Sequence, residues 1–353
     1  MWSSDACSHC LGCPRRVPTA GSVERGEAMT RDRWFRLMLG GLIGSFLLMS
    51  SIPPHLRAQV PLSAFSRSSY WNTPLPKNAP VDPASRAILR FLRRHSAGNF
   101  IRLGGTDPTG EWGMPIYSAR DGDPVYDVAN NCSLRMPPEF DHVRIPAGAA
   151  ADPTSDAAMT VYDEGLGYVF AFWHARFDAD GDTWSSCGGT VYYLGSNGLD
   201  GKLRRSDEPR NTGHRGLPPP TWAVRLDEIE AGSIDHVLKI AVPATKCRHV
   251  FPMVADECGT RAAHAPPEGT RIRIKPGVDL ARFHLSSAAL VVARALKRYG
   301  AIIGDQTRGK INLKVENTVA EGEGWGWRGV LGHRSLSNIP LRSFQVIRLG
   351  YRG

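Results

Sequence analysis

The chain has 353 residues, 42% hydrophobic and 22% charged, and this ordinary globular composition excludes a low-complexity or repeat protein. Its formal charge at pH 7 is +9, which falls to +6 without residues 1–58, and a balance that modest argues for no more than a mild affinity for acidic surfaces. No run of lysine and arginine with interleaved aromatic residues indicates nucleic-acid binding, so we expect no nucleic-acid partner.

A secretory signal is the first feature that the pattern predicts. Met29 is followed by the basic run TRDRWFR, the apolar run Leu37–Met49 and a small residue, Ala58. This layout is typical of a signal peptide, and the apolar run is shorter than the roughly 20 residues that a bilayer span needs. We therefore predict an exported protein, secreted or held in the cell envelope, with no stable membrane span after processing. A retained membrane anchor is the alternative.

Residues 1–28 lie in front of this signal and make little sense there. Their three cysteines, in CSHCLGC, lack the second ligand pair of a structural zinc site. We interpret residues 1–58 as a start-site extension plus a signal peptide at about 29–58, and residues 59–353 as a single domain. Removal of residues 1–58, with seven Lys/Arg and four Asp/Glu, lowers the formal charge from +9 to +6.

Four cysteines remain after processing: Cys132, Cys187, Cys247 and Cys258. An even number in an exported chain favours disulfides, and three pairings exist. We favour Cys247–Cys258, which closes a short loop, with Cys132–Cys187 as a long-range bridge. A metal site built from all four is the alternative, but no CxxC spacing supports it.

Two helices are predicted. The first covers VDPASRAILRFLRRHSAG, with Asp82 as its cap, and the second covers SSAALVVARALKRYG, ending at Gly300. Arg90, Arg93 and Arg94 are interpreted as the solvated face of the first helix, with a polyanion-binding patch as the alternative.

Ser155–Gly201 is the stretch around which the strands are predicted to be organised. Two apolar-aromatic runs on either side of Glu164–Gly165 are typical of a β-hairpin, and a turn at Asp178–Asp182 leads to a third run, GTVYYLGS. Alternate residues of such strands point to opposite faces, so one set packs the core and the other is free to form a groove.

Short runs separated by Gly, Pro and Asp from Asn99 to Ala150, and a strand over Ile234–Val242, complete the pattern. The sequence therefore predicts an all-β fold, a β-sandwich with two peripheral helices.

Several motifs resemble an uncharacterised family of secreted bacterial β-sandwich proteins. The motifs are WNTPLP, VDPAS, MPIY, SDAAMTVYD, FAFWHARF, EIEAGSIDHVLKIAVP and YGAIIGD, and they span nearly all of the mature chain. The resemblance implies a single exported domain and no particular chemistry. More loosely, the architecture is similar to concanavalin-like jelly-roll proteins, which include glycan hydrolases, glycan lyases and lectins, so a jelly-roll-like sandwich is expected.

Paired carboxylates are the first catalytic candidates, because glycoside hydrolysis needs an acid and a base or nucleophile. Asp156 and Asp163 stand at opposite ends of one predicted strand, about 20 Å apart at 3.3 Å per residue, so they cannot work as a pair. Asp156 needs a partner from another strand, either Glu228 or Asp305. The alternative reading is a turn residue for Asp163 and a loop-to-strand corner for Asp156.

Histidines form the second set. His236 lies on the apolar face of its predicted strand, where a hydrogen-bonded core histidine is the alternative to a catalytic base. His174 adjoins Trp173 and is expected to face the opposite side. A β-elimination lyase uses His or Tyr as base and acid, with Arg neutralising the uronate. The residues that supply such a set are His174, His236, Tyr192, Arg176 and Arg225.

Aromatic residues are the candidates for sugar binding, because sugar rings pack their apolar faces on such side chains. Six stand out: Trp173, Trp184, Tyr192, Trp222, Trp325 and Trp327. Core packing is expected for four of the six, and Trp325 and Trp327, flanked by glycines, are expected to be exposed.

Asp178, Asp180 and Asp182 resemble the start of a calcium loop, but no bidentate Glu follows at the position an EF-hand requires. A solvated hairpin turn is favoured, with structural calcium as the alternative, and no other cofactor is expected. The pattern as a whole predicts a secreted carbohydrate-active protein that cleaves a polysaccharide or cell-wall glycan, as a glycoside hydrolase or a polysaccharide lyase. A non-catalytic carbohydrate-binding or cell-surface structural protein is the alternative.

Overall fold

The computed structural model describes residues 64–353, so the predicted signal peptide, the start-site extension and the CSHCLGC cluster lie outside the described residues. Within this range the fold is β-rich, with strands in several sheets and three α-helices. The helices are α1 (Ser85–His95), α2 (Leu226–Ala231) and α3 (Ser287–Arg298). The strands are β1 (Arg102–Gly104), β2 (Ile116–Ala119), β3 (Val125–Tyr126), β4 (Ala129–Asn130), β5 (Val143–Arg144), β6 (Met159–Asp163), β7 (Tyr168–Phe172), β8 (Arg176–Asp178), β9 (Thr183–Ser186), β10 (Gly189–Tyr193), β11 (Ala223–Val224), β12 (Leu238–Val242), β13 (Lys246–His249), β14 (Pro267–Glu268), β15 (Arg271–Ile274), β16 (Ala301–Gln306), β17 (Asn312–Val315) and β18 (Phe344–Val346).

The largest sheet has seven strands in the order β1-β17-β12-β16-β15-β18, with β11 also paired to β17. It is mixed: β12 and β16 run parallel, as do β1 and β17, whereas β15 pairs antiparallel with β16 and β18. The sequence predicted hairpins and did not predict these parallel pairs. Parallel pairing joins residues far apart in the chain, so it leaves no local turn signal.

The second sheet has four strands in the order β10-β7-β6-β2. The predicted hairpin forms as β6 and β7, with Asp163 opposite Tyr168 across the turn. The predicted third run is β10, which pairs antiparallel with β7, but the separate β8–β9 hairpin lies between them in the chain.

Both faces of this second sheet are covered, which corrects the prediction of a groove over residues 156–176. One face, with Tyr162, packs with Ile302 of the large sheet, and the other face, with Val161, packs with Phe140 and Val143. Residues 120–150 fold over the outer face, so every residue of β6 is buried. Alternate residues of β6 therefore point to opposite faces of the sheet, as predicted, but both faces are covered and neither is free to bind a ligand.

The helices pack on the large sheet and are not peripheral. Leu92 of α1 and Val292 of α3 are fully buried in the largest core cluster. The predicted serine cap of α3 is present, because Ser286 Oγ accepts a hydrogen bond from Ala289 N at 3.2 Å. The single turn predicted before Gly232 is the short helix α2.

Two disulfides join Cys132 to Cys187 and Cys247 to Cys258, the pairing that the spacing favoured. Such bonds persist in oxidising compartments, which is consistent with an extracytoplasmic location. Among residues 64–353, no helix has both the length and the apolar character that a membrane crossing requires.

Candidate functional site

Asp156 and His174 are brought together by the backbone. His174 N donates to Asp156 O at 2.8 Å, and both lie where the chain turns at the ends of the central strands. The His174 ring stacks on the Trp173 ring, with centroids 4.0 Å apart, which corrects the prediction that the two side chains face opposite sides. The reason is that β7 ends at Phe172, and His174 takes a left-handed φ of 53° outside the strand.

Asp156 remains accessible and makes an ion pair. Its side chain is 41% exposed, and its Oδ2 lies 3.5 Å from Nζ of Lys314 on β17. Burial is the largest cause of the lowered pKa of His214 and of Lys239, and the positive charge of Lys314 adds to both shifts. Lys314 therefore connects the predicted Asp156 to a group of charged residues that the sequence did not single out.

That group, called here the Lys239 cluster, lies on β12, β16 and the segments beside them. Its members are His214, Arg215, Lys239, Glu257, Glu268 and Asp305. Of these, only Asp305 was predicted from the sequence, as a partner for Asp156. A signal for Lys239 existed in hindsight, because it is the one charged residue in the apolar strand LKIAV.

A β-bulge places Asp305 on the same side of the sheet as Lys239. The parallel register pairs Ile240 with Ile303 but then pairs Ala241 with Asp305, so Gly304 is an extra residue in β16. Without this shift the alternation would turn Asp305 to the opposite face, into the core that holds Ile240 and Ile303. The bulge is thus what assembles the charged cluster.

Lys239 is the centre of the cluster. Its ammonium lies 2.8 Å from Asp305 Oδ2 and donates to His214 Nε2 at 2.7 Å. It also lies 4.8 Å from the centroid of the Trp222 ring, a cation–π distance. His214 Nε2 accepts this hydrogen bond, so that nitrogen carries no proton and the neutral tautomer has its proton on Nδ1.

Arg215 connects the carboxylates. Its Nε donates to Glu268 Oε2 at 2.9 Å, and one terminal nitrogen lies 3.0 Å from Glu257 Oε1 and 3.6 Å from Asp305 Oδ1. His214 and Arg215 both have left-handed backbones, with φ of 38° and 56°. Non-glycine residues adopt such angles at a cost of about 1–3 kcal/mol each, and they concentrate at functional sites.

The cluster shifts the proton affinities of its members in different directions. Burial raises the pKa of Glu257 to about 7, with the negative charge of Asp305 adding to the effect and Arg215 opposing it. Burial alone would raise the pKa of Asp305, but Lys239, His214 and Arg215 hold it well below its usual range. Burial, with Lys239 and Arg215, lowers the pKa of His214 well below its ordinary value.

At neutral pH the cluster therefore holds a proton donor and a proton acceptor side by side. Glu257 is partly protonated and lies within hydrogen-bonding reach of ionised Asp305, while His214 is a neutral imidazole. The side chains keep contact with solvent, with exposed fractions of 30% for Glu257 and 18% for His214. Such opposed shifts in an accessible cluster are typical of acid–base catalysis.

The predicted residues His236, Glu228 and Arg225 form a separate, closed network. His236 Nε2 lies 2.8 Å from Glu228 Oε1, and its Nδ1 lies 2.8 Å from Val237 O, so both ring nitrogens face oxygen acceptors. Arg225 pairs with Glu228 and Asp227. His236 lies before β12 and not within it, because the strand starts at Leu238.

This network has no room for a sugar. The cavity lined by Arg225 and His236 measures about 10 Å³, the space of one water molecule at most. Glu228 is 1% exposed and its pKa is lowered, since His236 and Arg225 outweigh the opposing effect of burial. The geometry corrects the catalytic assignment of His236 and Glu228, and the substrate-binding one of Arg225, to a network that fixes the start of α2.

The predicted aromatic residues divide between core and surface. Trp173 and Trp325 are 43% and 39% exposed, whereas the other four are buried: Trp184, Tyr192, Trp222 and Trp327. The expectation of an exposed Trp327 was wrong, because its indole donates to Glu316 O at 2.8 Å inside the core. Tyr192, 0% exposed, has no surface with which to contact a substrate.

The remaining predicted residues lie on the β8–β9 hairpin or at the end of β6. Arg176 is exposed on β8, and Asp178, Asp180 and Asp182 lie in or beside the exposed turn that follows. Within residues 64–353, no group of three or more His, Cys, Asp or Glu side chains is placed to hold a metal ion, and calcium binding at the turn stays a prediction. Asp163 is buried, paired with Arg144 at 3.1 Å, and accepts from Leu166 N as a turn residue.

Comparison with known proteins finds no matching family model, no matching curated protein and no matching solved structure.

Proposed function

We propose that the protein is an exported enzyme that cleaves an acidic polysaccharide by β-elimination at the Lys239 cluster. One observation carries the proposal: Glu257, with a pKa of about 7, lies against ionised Asp305 in an accessible cluster that also holds neutral His214 and cationic Arg215. We also propose that the protein resembles secreted bacterial β-sandwich proteins and, more loosely, jelly-roll proteins that act on glycans. The two disulfides support its extracytoplasmic setting.

The spacing of the carboxyl groups favours elimination over hydrolysis. A glycoside hydrolase needs two carboxyl groups about 5–5.5 Å apart for retention or about 6.5–9.5 Å apart for inversion. Glu257 and Asp305 instead interact directly, since a hydrogen bond to Asp305 contributes to the raised pKa of Glu257, and such a contact is closer than either separation. In such a pair, the negative charge of Asp305 raises the pKa of Glu257, which makes Glu257 a proton donor at neutral pH.

The residues of the cluster match the three tasks of elimination. When the substrate displaces the Lys239 N–H that His214 Nε2 accepts in the free protein, this nitrogen takes the proton beside the uronate carboxylate, and the electron pair of that C–H bond forms the new C=C bond. The glycosidic C–O bond breaks, and Glu257 donates its proton to the leaving oxygen. Arg215 and Lys314 neutralise the carboxylate while negative charge develops on it.

The experiment is an assay on a panel of acidic and neutral polysaccharides, with polygalacturonate, alginate and hyaluronate among the acidic ones. Ultraviolet absorbance reports unsaturated uronates, and a reducing-end assay reports any chain cleavage. We expect both signals on an acidic glycan. Reducing ends without absorbance would show hydrolysis and overturn the elimination step, and no product on any glycan would overturn the enzyme.

Glu257→Gln tests the role of the acid. Loss of a general acid costs about 10²–10⁴-fold in rate, so we expect a fall of that size in kcat, with Glu111→Gln, an exposed carboxylate, as the unchanged control. The wild-type rate is expected to fall as pH rises through about 7, because Glu257 then loses the proton it donates. A Glu257→Gln enzyme with the wild-type rate would remove Glu257 from the mechanism.

A non-catalytic carbohydrate-binding function is the second candidate, and Trp173 favours it. Its ring is 43% exposed, stacks on His174 and lies beside Asp156, an arrangement suited to one face of a sugar. If the protein cleaves nothing yet is retained on an insoluble glycan, and Trp173→Ala abolishes that retention, the second candidate replaces the first. The cell-surface structural alternative predicts neither activity nor retention.

A further inference from the structure

An open groove of about 740 Å³ lies between α1 and the β15–β18 edge of the large sheet. This volume is in the range of about 300–1,000 Å³ that ligand clefts occupy. Its lining is rich in cationic side chains: Arg86, Arg90, Arg93, Lys275 and Arg342.

The arginines form a row along one face of α1. Arg86, Arg90 and Arg93 follow one another at intervals of four and three residues, so their Cα atoms lie about 6 Å and about 4.5 Å apart along the helix axis. A single small anion contacts one or two guanidinium groups of such a row. A polymer with regularly repeated negative charges contacts all of them.

Among residues 64–353, no carboxylate forms an ion pair with the cations of the groove. Asp82 is the one acidic residue in the lining, and its carboxylate accepts from Ala84 N at 2.8 Å and from Leu349 N at 3.2 Å. In the described part of the chain, Arg86, Arg90, Arg93 and Arg342 make no ion pair. The positive charge therefore faces solvent without a partner.

The floor of the groove narrows the choice of polymer. Leu341 and Phe344 line the groove but are each 1% exposed, and Leu89 is 9% exposed, so the floor offers little apolar surface to any ligand. Phe344, the one aromatic residue of the lining, is 1% exposed and offers no platform for stacking nucleic-acid bases. The row of cations suits a polyanion, and the lack of an exposed aromatic side chain in the lining disfavours single-stranded nucleic acid, whose bases stack on such side chains.

We infer that this groove binds a segment of an acidic polysaccharide chain, as a site separate from the Lys239 cluster. The choice of a polysaccharide rests on the proposed function. The groove residues lie on α1 and β18, whereas the Lys239 cluster lies on β12 and β16. The groove retains the polymer, and cleavage takes place elsewhere on the same protein.

The test compares two charge-matched triple variants in equilibrium binding to polygalacturonate, with neutral dextran as the control polymer. The groove variant is Arg86→Gln/Arg90→Gln/Arg93→Gln. The control variant is Arg204→Gln/Arg205→Gln/Arg294→Gln, which removes three exposed arginines outside the groove. We expect the groove variant to lose about ten- to hundredfold in affinity and much of its salt dependence, and the control variant to change less than threefold.

A finer comparison uses two neighbours on the same helix. Arg90 lines the groove, and Arg94, one turn further along, does not. Arg90→Gln should therefore weaken polygalacturonate binding more than Arg94→Gln does. Equal losses in the two single variants, or in the two triple variants, would overturn the groove and leave a general effect of net charge.

The outcomes separate the groove from the proposed function. If the wild type binds polygalacturonate through the groove but cleaves nothing, the proposed binding site is supported and the proposed enzymatic function is refuted. If the wild type cleaves polygalacturonate and the groove variant binds it as tightly as the wild type, the proposed binding site is refuted and the proposed enzymatic function is supported. Tighter groove-dependent binding of single-stranded DNA than of polygalacturonate would also overturn the inference.

Discussion

A buried pair of carboxyl groups allows a stability prediction that needs no substrate. Glu316 and Glu321 are 2% and 1% exposed, and their carboxyl groups lie within hydrogen-bonding reach of each other. Glu321 Oε1 accepts from Ile116 N at 2.8 Å, and Glu316 Oε2 accepts from Leu226 N at 2.7 Å. Burial raises the pKa of Glu321 well above its ordinary value, and the charges of Glu316 and Glu323 add to the effect.

The sign of the pH dependence follows from the raised pKa. Between the ordinary glutamate pKa of about 4.3 and the raised pKa of the folded state, the native protein holds a proton that the unfolded chain has lost. The free energy of unfolding therefore decreases with rising pH in that interval, by about 1.4 kcal/mol per pH unit for one proton.

Glu321→Gln removes this contribution while keeping the hydrogen bonds. The amide oxygen still accepts from Ile116 N, and the amide nitrogen donates to Glu316. We expect the unfolding free energy of the variant, relative to wild type, to rise by about 1.4 kcal/mol for each pH unit above about 5. Urea titrations followed by tryptophan fluorescence at several pH values measure it, with Glu111→Gln as the exposed control. Stability curves that stay parallel from pH 5 to pH 8 would refute a proton held by Glu321.

Two further predictions concern the scaffold. Replacing both Cys132 and Cys187 by alanine opens a loop of 55 residues and should lower the free energy of unfolding by about 4 kcal/mol, measured in urea; no loss would contradict an ordered bridge. Gly304→Ala would place a Cβ 2.6 Å from Leu217 Cδ2, which should cost about 1–3 kcal/mol and displace Asp305 from Lys239. Wild-type stability and activity in Gly304→Ala would show that the bulge tolerates a side chain.

Local patterns predicted the elements whose partners are close in sequence. The β6–β7 hairpin has its turn signal between its two strands, and α1 and α3 have apolar residues at helical spacing. The expected number of buried aromatic residues, four of six, was correct, but its members were not, because Trp327 is buried and Trp173 is exposed. The position of His236 did not follow, because its apolar neighbours suggested a strand where the chain forms a loop ahead of Leu238.

The Lys239 cluster escaped the sequence analysis for a physical reason. Its residues run from His214 to Asp305 along the chain and meet through the parallel pairing of β12 with β16, which has no local signature. Even with both strands assigned correctly, simple alternation would place Asp305 and Lys239 on opposite faces of the sheet. The bulge at Gly304 brings them to the same face, and alternation does not predict a bulge. Arg90, Arg93 and Arg94 are exposed, as the favoured prediction of a solvated helix face requires, and the alternative of a polyanion-binding patch stays a prediction, with Arg90 and Arg93 but not Arg94 in the groove.

The ionic groups of this protein differ in their contact with solvent, and this difference guides which of them we propose as catalytic. Glu228 and the Asp163 side chain are about 1–2% exposed, and each is held by an arginine whose other neighbours are also protein atoms. Breaking such a buried pair typically costs about 3–5 kcal/mol, so these groups fix the fold. Glu257 and Asp305 retain exposed fractions of 30% and 27%. Glu257 thus combines a pKa of about 7 with contact with solvent, the two properties that a general acid needs at neutral pH. For that reason Glu257, and not His236 or Glu228, is the residue on which the enzymatic proposal depends.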